Sequence, residues 1–398
     1  MAHQSVEVKN LNRQVATREE TAILSGVFDL AVAKISKNLP ALVASPASWG
    51  FDVSGDYANR DEGFHDIGNW TTSFFTGMAL LGHLRTGEKE LIEQVEALDE
   101  RYQRKLDNHA VETMHDLGFL YSLYSVALYR LTGKAEHRDT GLRAAEVLAG
   151  RFISQGDYFR AWGSVDELDT DYNGLAIVDS LMNMPLLYWA SNETGDGRFK
   201  DLAIRHTDTT LNHFLRKDDS VFHAFRFDSN SGEPLGGDNY CGRSVDSHWA
   251  RGSSWAMYGF ALAYKHTGDV RYLDAAIALT EKYVSLVDEE GVPVWDFRLH
   301  NGETRYRDSS SAAVAICAIQ CLMTLGEVSS EVSECKNRML MALCSDDYLD
   351  RSPECRGLLK QGQVGDGLGK ARSVYTSWGD YYFMQALAGE IGLTTDWW

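Results

Sequence analysis

Residues 175–199, LAIVDSLMNMPLLYWASNETGDGRF, contain the punctuation that decides the fold. The first part is apolar nearly all round, apart from Asp179, and the pattern predicts a helix over residues 174–195. Pro185, inside that run, is expected to kink it. The helix then ends in Thr194-Gly195, and a second helix begins at once behind an aspartate. Glycine after a helix end supplies the left-handed position that stops it. The acidic residue that follows favours a new helix start. The unit is a tight antiparallel helix hairpin.

The same punctuation recurs along the chain. RTGEKE from Arg85, LTGKAE from Leu131 and HTGDVR from His266 repeat it, and TLGEVS from Thr324 is a looser copy. Extending the 3.6-residue period outward predicts helices near 18–38, 69–86, 88–106, 114–132, 136–154, 174–195, 197–217, 248–267, 269–287, 308–326, 330–345 and 376–392. Only six prolines among 398 residues agree with long uninterrupted helices. No alternating strand pattern dominates, though residues 221–227 and 292–297 could be short strands or hairpin arms.

The junctions entering the first helix of each pair are long, aromatic and polar. They are GNWTTSFFTG from Gly68, MHDLGFLY from Met114, DTDYNGLAIVDS from Asp169, DSHWARGSSWAMYGF from Asp246, DSSSAA from Asp308 and TSWGDYYF from Thr376. Short turns at one end and elaborate loops at the other describe an all-α (α/α)6 toroid, with the first helix of each pair lining the inside. The six elaborate loops then meet at one mouth, where function is expected. One catalytic domain over 1–398 is expected, its first 15 residues or so forming an extended N-terminal segment.

Composition narrows the function classes. Lys and Arg number 38 against 57 Asp and Glu, a formal net charge of −19. That balance argues against a nucleic-acid partner. There is no apolar run long enough to span a membrane and no apolar core of a secretory signal. Six cysteines without a CxxC pair suit a reducing compartment, so a cytoplasmic location is expected. HExxH, zinc-spaced Cys/His clusters, Walker loops and GxSxG are all missing, so no metal and no cofactor are expected.

Two aspartates are the candidate catalytic pair. Asp179 lies in an apolar environment, where desolvation raises a carboxyl pKa and keeps a proton for general acid work. Asp116 opens another inner helix; capping alone would account for it. Together at one mouth, the pair fits acid–base chemistry on a sugar. His115 and His223 are candidate contacts to a carboxylate or hydroxyl. Arg251, between Trp249 and Trp255 at an inner helix start, is placed to grip a carboxylate bidentately. Trp70, Trp162, Trp255 and Trp378 are candidate sugar-stacking rings.

NWTTSFFTGMALL, MHDLGFLY, IVDSLMNMPLLYWA, HWARGSSWAMYGFALAY, RDSSSAAVA and WGDYYFMQAL, in that order from about residue 65 to 390, resemble the unsaturated glucuronyl hydrolases, glycoside hydrolase family 88. The resemblance implies an (α/α)6 barrel that hydrates the C4=C5 bond of an unsaturated uronic acid. That sugar would sit at the non-reducing end of a lyase-generated oligosaccharide of glycosaminoglycan or gellan type. It puts the acid/base role on Asp179 and an assisting role on Asp116. His115, Trp162, His223, Arg251 and Trp255 would line the uronic acid subsite. Cys241 stands where many relatives have a glutamine, and Arg243 is expected to take over that contact. Lys370 survives in a segment, GQVGDGLGKARS, that lacks the serines some relatives use to contact sulfate. The partner implied is a small oligosaccharide, with the protein a monomer or weak homodimer. An unsaturated rhamnogalacturonyl hydrolase is the nearest alternative, and a sugar 2-epimerase is the alternative of another class.

Overall fold

The computed structural model describes residues 18–46, 50–57, 67–68, 70–167, 170–326, 328–365, 372–393 and 395–398. The expected N-terminal segment and Lys370 lie outside these residues. The helices are α1 (Arg18–Ala44), α2 (Thr72–Thr86), α3 (Lys89–Glu96), α4 (Asp99–His109), α5 (Leu117–Tyr121), α6 (Ala127–Thr132), α7 (Ala135–Ala149), α8 (Met184–Thr194), α9 (Gly197–His213), α10 (Ala250–Thr267), α11 (Val270–Leu286), α12 (Ser309–Leu325), α13 (Ser330–Leu343) and α14 (Ser377–Glu390). A π-helical turn, Ser122–Val126, joins α5 to α6 in one continuous helix.

These helices form two concentric layers. α2, the α5–α6 helix, α8, α10, α12 and α14 make the inner ring. The outer partners are α3 with α4, then α7, α9, α11, α13 and α1. Inner helices are buried on all sides over much of their length, as in α10 from Ala250 to Ala263 and α12 from Ser309 to Ile319. Outer helices bury a single stripe, such as Tyr272, Leu273, Ala276, Leu279 and Tyr283 of α11. The sixth hairpin closes through space: α1 packs on the outside between α14 and α2. The architecture is the (α/α)6 toroid.

The hairpin turns form as the punctuation predicts. Gly87, Gly133, Gly195, Gly268 and Gly326 end their helices with φ of 75°, 71°, 75°, 73° and 95°. The preceding threonine has a use that the glycine logic misses. Thr86, Thr132, Thr194 and Thr267 each donate Oγ1–H to a carbonyl one turn back. The same oxygens accept the N–H that opens the next helix. Both sides of the turn are thus satisfied by one hydroxyl.

The mouth carries what little sheet there is: β1 (Phe51–Asp52), β2 (Phe152–Ile153), β3 (Tyr158–Phe159), β4 (Leu175–Ile177), β5 (Ala224–Phe227), β6 (Pro234–Asp238), β7 (Gly362–Gln363) and β8 (Arg372–Thr376). They form the antiparallel groups β1-β8-β7, β2-β3 and β4-β5-β6. Three expectations need correction. The helix over 174–195 is really β4, a 3₁₀ turn at Val178–Asn183, and then α8. Pro185 sits in the first turn of α8, where its missing N–H costs nothing, so it starts a helix and kinks none. Residues 292–297 make isolated bridges only, Val294 with Arg307 and Asp296 with Trp249.

A small second cluster of Ala161, Leu175, Ile177 and Ala224 lies under Trp162 and Tyr240, and the main core is a contiguous apolar cluster running from Leu24 to Trp398. Its centre is aromatic: Phe119 packs 5.3 Å from Trp255, and Trp255 packs 5.3 Å from Tyr382. Trp398 lies flat on Tyr382, and Lys265, near the tight-turn end of α10, bonds the Trp398 carbonyl. The ring is therefore filled below the mouth. Among the described residues, no helix is long and apolar enough to cross a membrane.

Candidate active site

The mouth brings Asp116, Asp179 and His115 together, with one ligand-type atom of each within 4.8 Å of the others. The local chain explains how. Asp116 occupies the position before α5, yet its side chain makes no capping bond. Asp179 rides the 3₁₀ turn between β4 and α8. The two elements abut at Gly118, where an added Cβ would lie 2.3 Å from the Asn183 Cα. Only glycine permits that approach. Asn183 then fastens the joint: its Oδ1 accepts from Phe119 N at 2.8 Å, and its Nδ2 donates to the Asp179 carbonyl at 3.3 Å.

The turn is also held from behind. Phe159 N–H donates to His206 Nδ1 at 3.2 Å, so the remaining ring proton of neutral His206 is on Nε2. Nε2 lies 2.5 Å from Ser180 Oγ, and that hydroxyl donates to the Ile177 carbonyl at 2.6 Å. Burial pushes the His206 pKa down to about 3, which keeps the ring neutral. The relay is fully directed and fixes the residue next to Asp179.

The carboxyls are shifted as acid–base work needs. Burial pushes Asp179 up to about 6, opposed by hydrogen bonding to its backbone and by the Arg251 charge. Asp116 is raised well above the ordinary carboxylate range, first by burial and then by the Asp179 charge. Asp116 is 4% exposed, whereas Asp179 is partly open. Asp116 is thus the deeper of the two carboxyls, and Asp179 lies nearer the opening of the mouth. Asp179 Oδ1 and His115 Nδ1 have no hydrogen-bond partner among the described residues. Unspent polar atoms of this kind mark a site built for a ligand.

Two cations flank the pair, one of them absent from the sequence reading. Arg151 is buried and donates to the carbonyls of Thr113, Arg160, Ala161 and Gly163, and its charge opposes the Asp116 shift. Its place on a short turn after α7, far in sequence from Asp116, gave no signal. Arg251 is 3% exposed, between the rings of Trp249 and Trp378. It pairs with Asp308 at 3.0 Å and donates to the carbonyls of Gln363 and Val364. Asp308, Ser310 Oγ and Gln363 occupy Nη1, whereas Nη2, on Val364, keeps a second N–H, so the expected grip on a substrate carboxylate is narrowed to the Nε–Nη2 edge. Arg251 contributes charge beside Asp179 and ties the β7 segment to α10. Asp308 was missed as its partner, although the aspartate that opens DSSSAA carries the signal of a cap, and its carboxylate does accept from Ser310 N and Ser311 N.

His223 comes to the same place. Its Nδ1 accepts from Tyr240 N at 2.9 Å and Cys241 N at 3.2 Å, so the neutral ring carries its proton on Nε2 and can donate from there. Burial holds its pKa at about 3. His115 is likewise kept neutral, well below its ordinary value, by burial and the Arg151 charge. Cys241 is buried near Arg251, Asp179 and Asp308, and burial pushes its thiol up to about 12. It lines the site as an uncharged group. Arg243, by contrast, faces Glu303 at 3.7 Å, and the cation that Asp179 senses is Arg251.

The tryptophans divide. Trp255 and Trp378 are 1% exposed and belong to the core, a correction to their reading as stacking platforms. Trp70 is half-buried against Trp378, at 4.7 Å. Trp162 is half-buried and stands in the loop after β3. As a donor set, His115, Asp116 and Asp179 can also hold a divalent cation.

Comparison with known proteins agrees with this geometry. The description "Glycosyl Hydrolase Family 88" matches residues 52–388. The chain is 32% identical over 344 residues to the unsaturated glucuronyl hydrolase of Bacillus sp. (strain GL1), covering 84% of this chain and 89% of that protein. It is 32% identical over 336 residues to the unsaturated chondroitin disaccharide hydrolase of Streptococcus pyogenes serotype M1, covering 83% and 84%. The crystal structure of the Bacillus sp. GL1 enzyme, described as responsible for the degradation of glycosaminoglycan, superposes with a TM-score of 0.86 at 30% identity, over 94% of this chain and 99% of that one.

Proposed function

The chain belongs to glycoside hydrolase family 88, and from that premise we propose that it releases the unsaturated 4,5-uronic acid from the non-reducing end of lyase-generated oligosaccharides. The observation that carries this reading is the Asp116–Asp179 pair, with one carboxyl deep and one at the mouth, both raised in pKa. Protonated Asp179 donates to C4 of the C4=C5 bond, and C5 becomes an oxocarbenium centre through its ring oxygen. Water adds at C5 and gives its proton to the Asp179 carboxylate. The resulting hemiketal opens and frees the neighbouring sugar, and Asp179 ends protonated as it began. Asp116, neutral when Asp179 ionises, adds no second negative charge beside it.

The relatives' names point to chondroitin and related glycosaminoglycan disaccharides as the first substrates to try. The rhamnogalacturonyl and epimerase alternatives are not favoured. The matching family and relatives are those of unsaturated glucuronyl hydrolases. A cytoplasmic location is supported by six free cysteines. We propose a monomer or weak homodimer, since few large apolar side chains are exposed among the described residues, Val53, Leu235 and Val270 among them. The test is optical: the ultraviolet absorbance of the conjugated double bond falls when the protein meets unsaturated disaccharides. Persistence of that band with chondroitin-, hyaluronan-, heparin- and gellan-derived substrates would reject the assignment.

A further inference from the structure

A row of rings leads outward from the carboxyl pair. His223, beside the Arg251 charge, stands 6.1 Å from Tyr240, centroid to centroid. Tyr240 stands 4.7 Å from Trp162, and Trp162 5.8 Å from Tyr172. The row passes from buried to open: His223 is 5% exposed, Tyr240 and Trp162 are half-buried, and Tyr172 is 41% exposed.

The row is held rigidly. Tyr240 accepts from Arg226 through its hydroxyl and donates to Asp238 at 3.3 Å. Its own N–H, on His223 Nδ1, couples it to the catalytic wall. The loop carrying Trp162 and Tyr172 is clamped by Arg160, which donates to the carbonyls of Trp162 and Glu167 and to Thr170 Oγ1. Arg151, the cation beside Asp116, binds the carbonyls of Ala161 and Gly163 in the same loop. Tyr172 thus displays a large aromatic side chain at the outer end of this row. Its ring packs on Trp162 and against Gly163 yet stays open on its outer side, and an exposed ring with a polar tip suits a sugar face.

We infer that Tyr172, with Tyr240 and Trp162 behind it, is a stacking platform for sugars on the leaving side of the bond that is broken, so that this protein prefers oligosaccharides longer than a disaccharide. The inference rests on the proposed substrate class. Its chemistry is that of a neutral or acidic pyranose laid on an aromatic face, and it takes no part in the proton transfers.

The test compares an unsaturated disaccharide with a tetrasaccharide from the same lyase digest, using wild-type protein, Tyr172→Ala and Tyr172→Phe. Tyr172→Ala is expected to raise KM for the tetrasaccharide about three- to tenfold, the range of one aromatic contact. Its kcat on both substrates and its KM for the disaccharide stay within twofold or so on the same scale. Tyr172→Phe keeps the ring and behaves as wild type. Equal effects on the two lengths, or no effect on either, would overturn the platform. Failure of wild-type protein on both substrates would instead reject the substrate class, so the two failures are distinguishable.

Discussion

At the residue scale the proposed chemistry centres on Asp179. With protonated Asp179 as the proposed donor, its raised pKa predicts acid-favoured activity, with kcat/KM falling as pH rises through about 6. Asp179→Asn is expected to lower turnover at least 10³-fold or so, within the span general acid catalysis commands together with water activation. Linkage gives a second readout. A carboxyl with a raised folded-state pKa favours folding while protonated, and that support is lost as pH climbs from the ordinary carboxylate range to about 6. Asp179→Asn should therefore melt no lower than wild type at pH values above 6. A variant that unfolds there at a lower temperature would give Asp179 a structural role instead. Dialysis against a chelator separates acid–base chemistry from use of the His115–Asp116–Asp179 donors by a metal: activity that survives supports the former. The aspartates and histidines were legible because each residue type is costly in its sequence surroundings. Arg151 and Asn183 were not, because their roles exist only once distant segments meet.

At the scale of elements the 3₁₀ turn decides the geometry. Sequence periodicity reads residues 174–195 as one helix because a buried strand, a 3₁₀ turn and an inner helix are all apolar on every side. The difference matters, since the turn lets β4 pair with β5 and aims Asp179 at the mouth. The His206–Ser180 relay makes His206 a positioning residue. His206→Ala is expected to cut kcat about tenfold or more with little change in KM, since misplacing a reacting group by an ångström costs up to about 10². Loss of KM alone would contradict that assignment. Gly118→Ala should be harsher. Its Cβ meets backbone, so α5 and the turn must separate, at a cost of several kcal/mol by analogy with overpacking at about 1–3 kcal/mol or more. Urea unfolding of the variant measures it.

Across the whole molecule the Thr-Gly repeats made the toroid readable. Each turn carries its own local chemistry, independent of what packs on it. Closure of the ring was harder to see, because α1 and α14 meet across the full length of the chain. One consequence is cooperativity. We propose that the described chain unfolds as one domain, since its apolar cluster is continuous through α1. Phe28, fully buried in α1, tests this: Phe28→Ala should lower stability by about 3–5 kcal/mol in a single calorimetric transition. A low-temperature transition confined to α1 would show that the ring closes loosely.

The carboxyl pair is proposed to act on the C4=C5 bond and to leave the glycosidic oxygen alone. Replacing that oxygen with sulfur in an unsaturated disaccharide tests it most directly. Sulfur is a poor proton acceptor, so an enzyme that protonates the leaving group turns such a substrate over far more slowly. Hydration at C4 and C5 is indifferent to the exchange, and wild-type protein is expected to consume the oxygen- and sulfur-linked compounds at comparable rates. Rapid cleavage of the oxygen compound beside an inert sulfur compound would contradict the account.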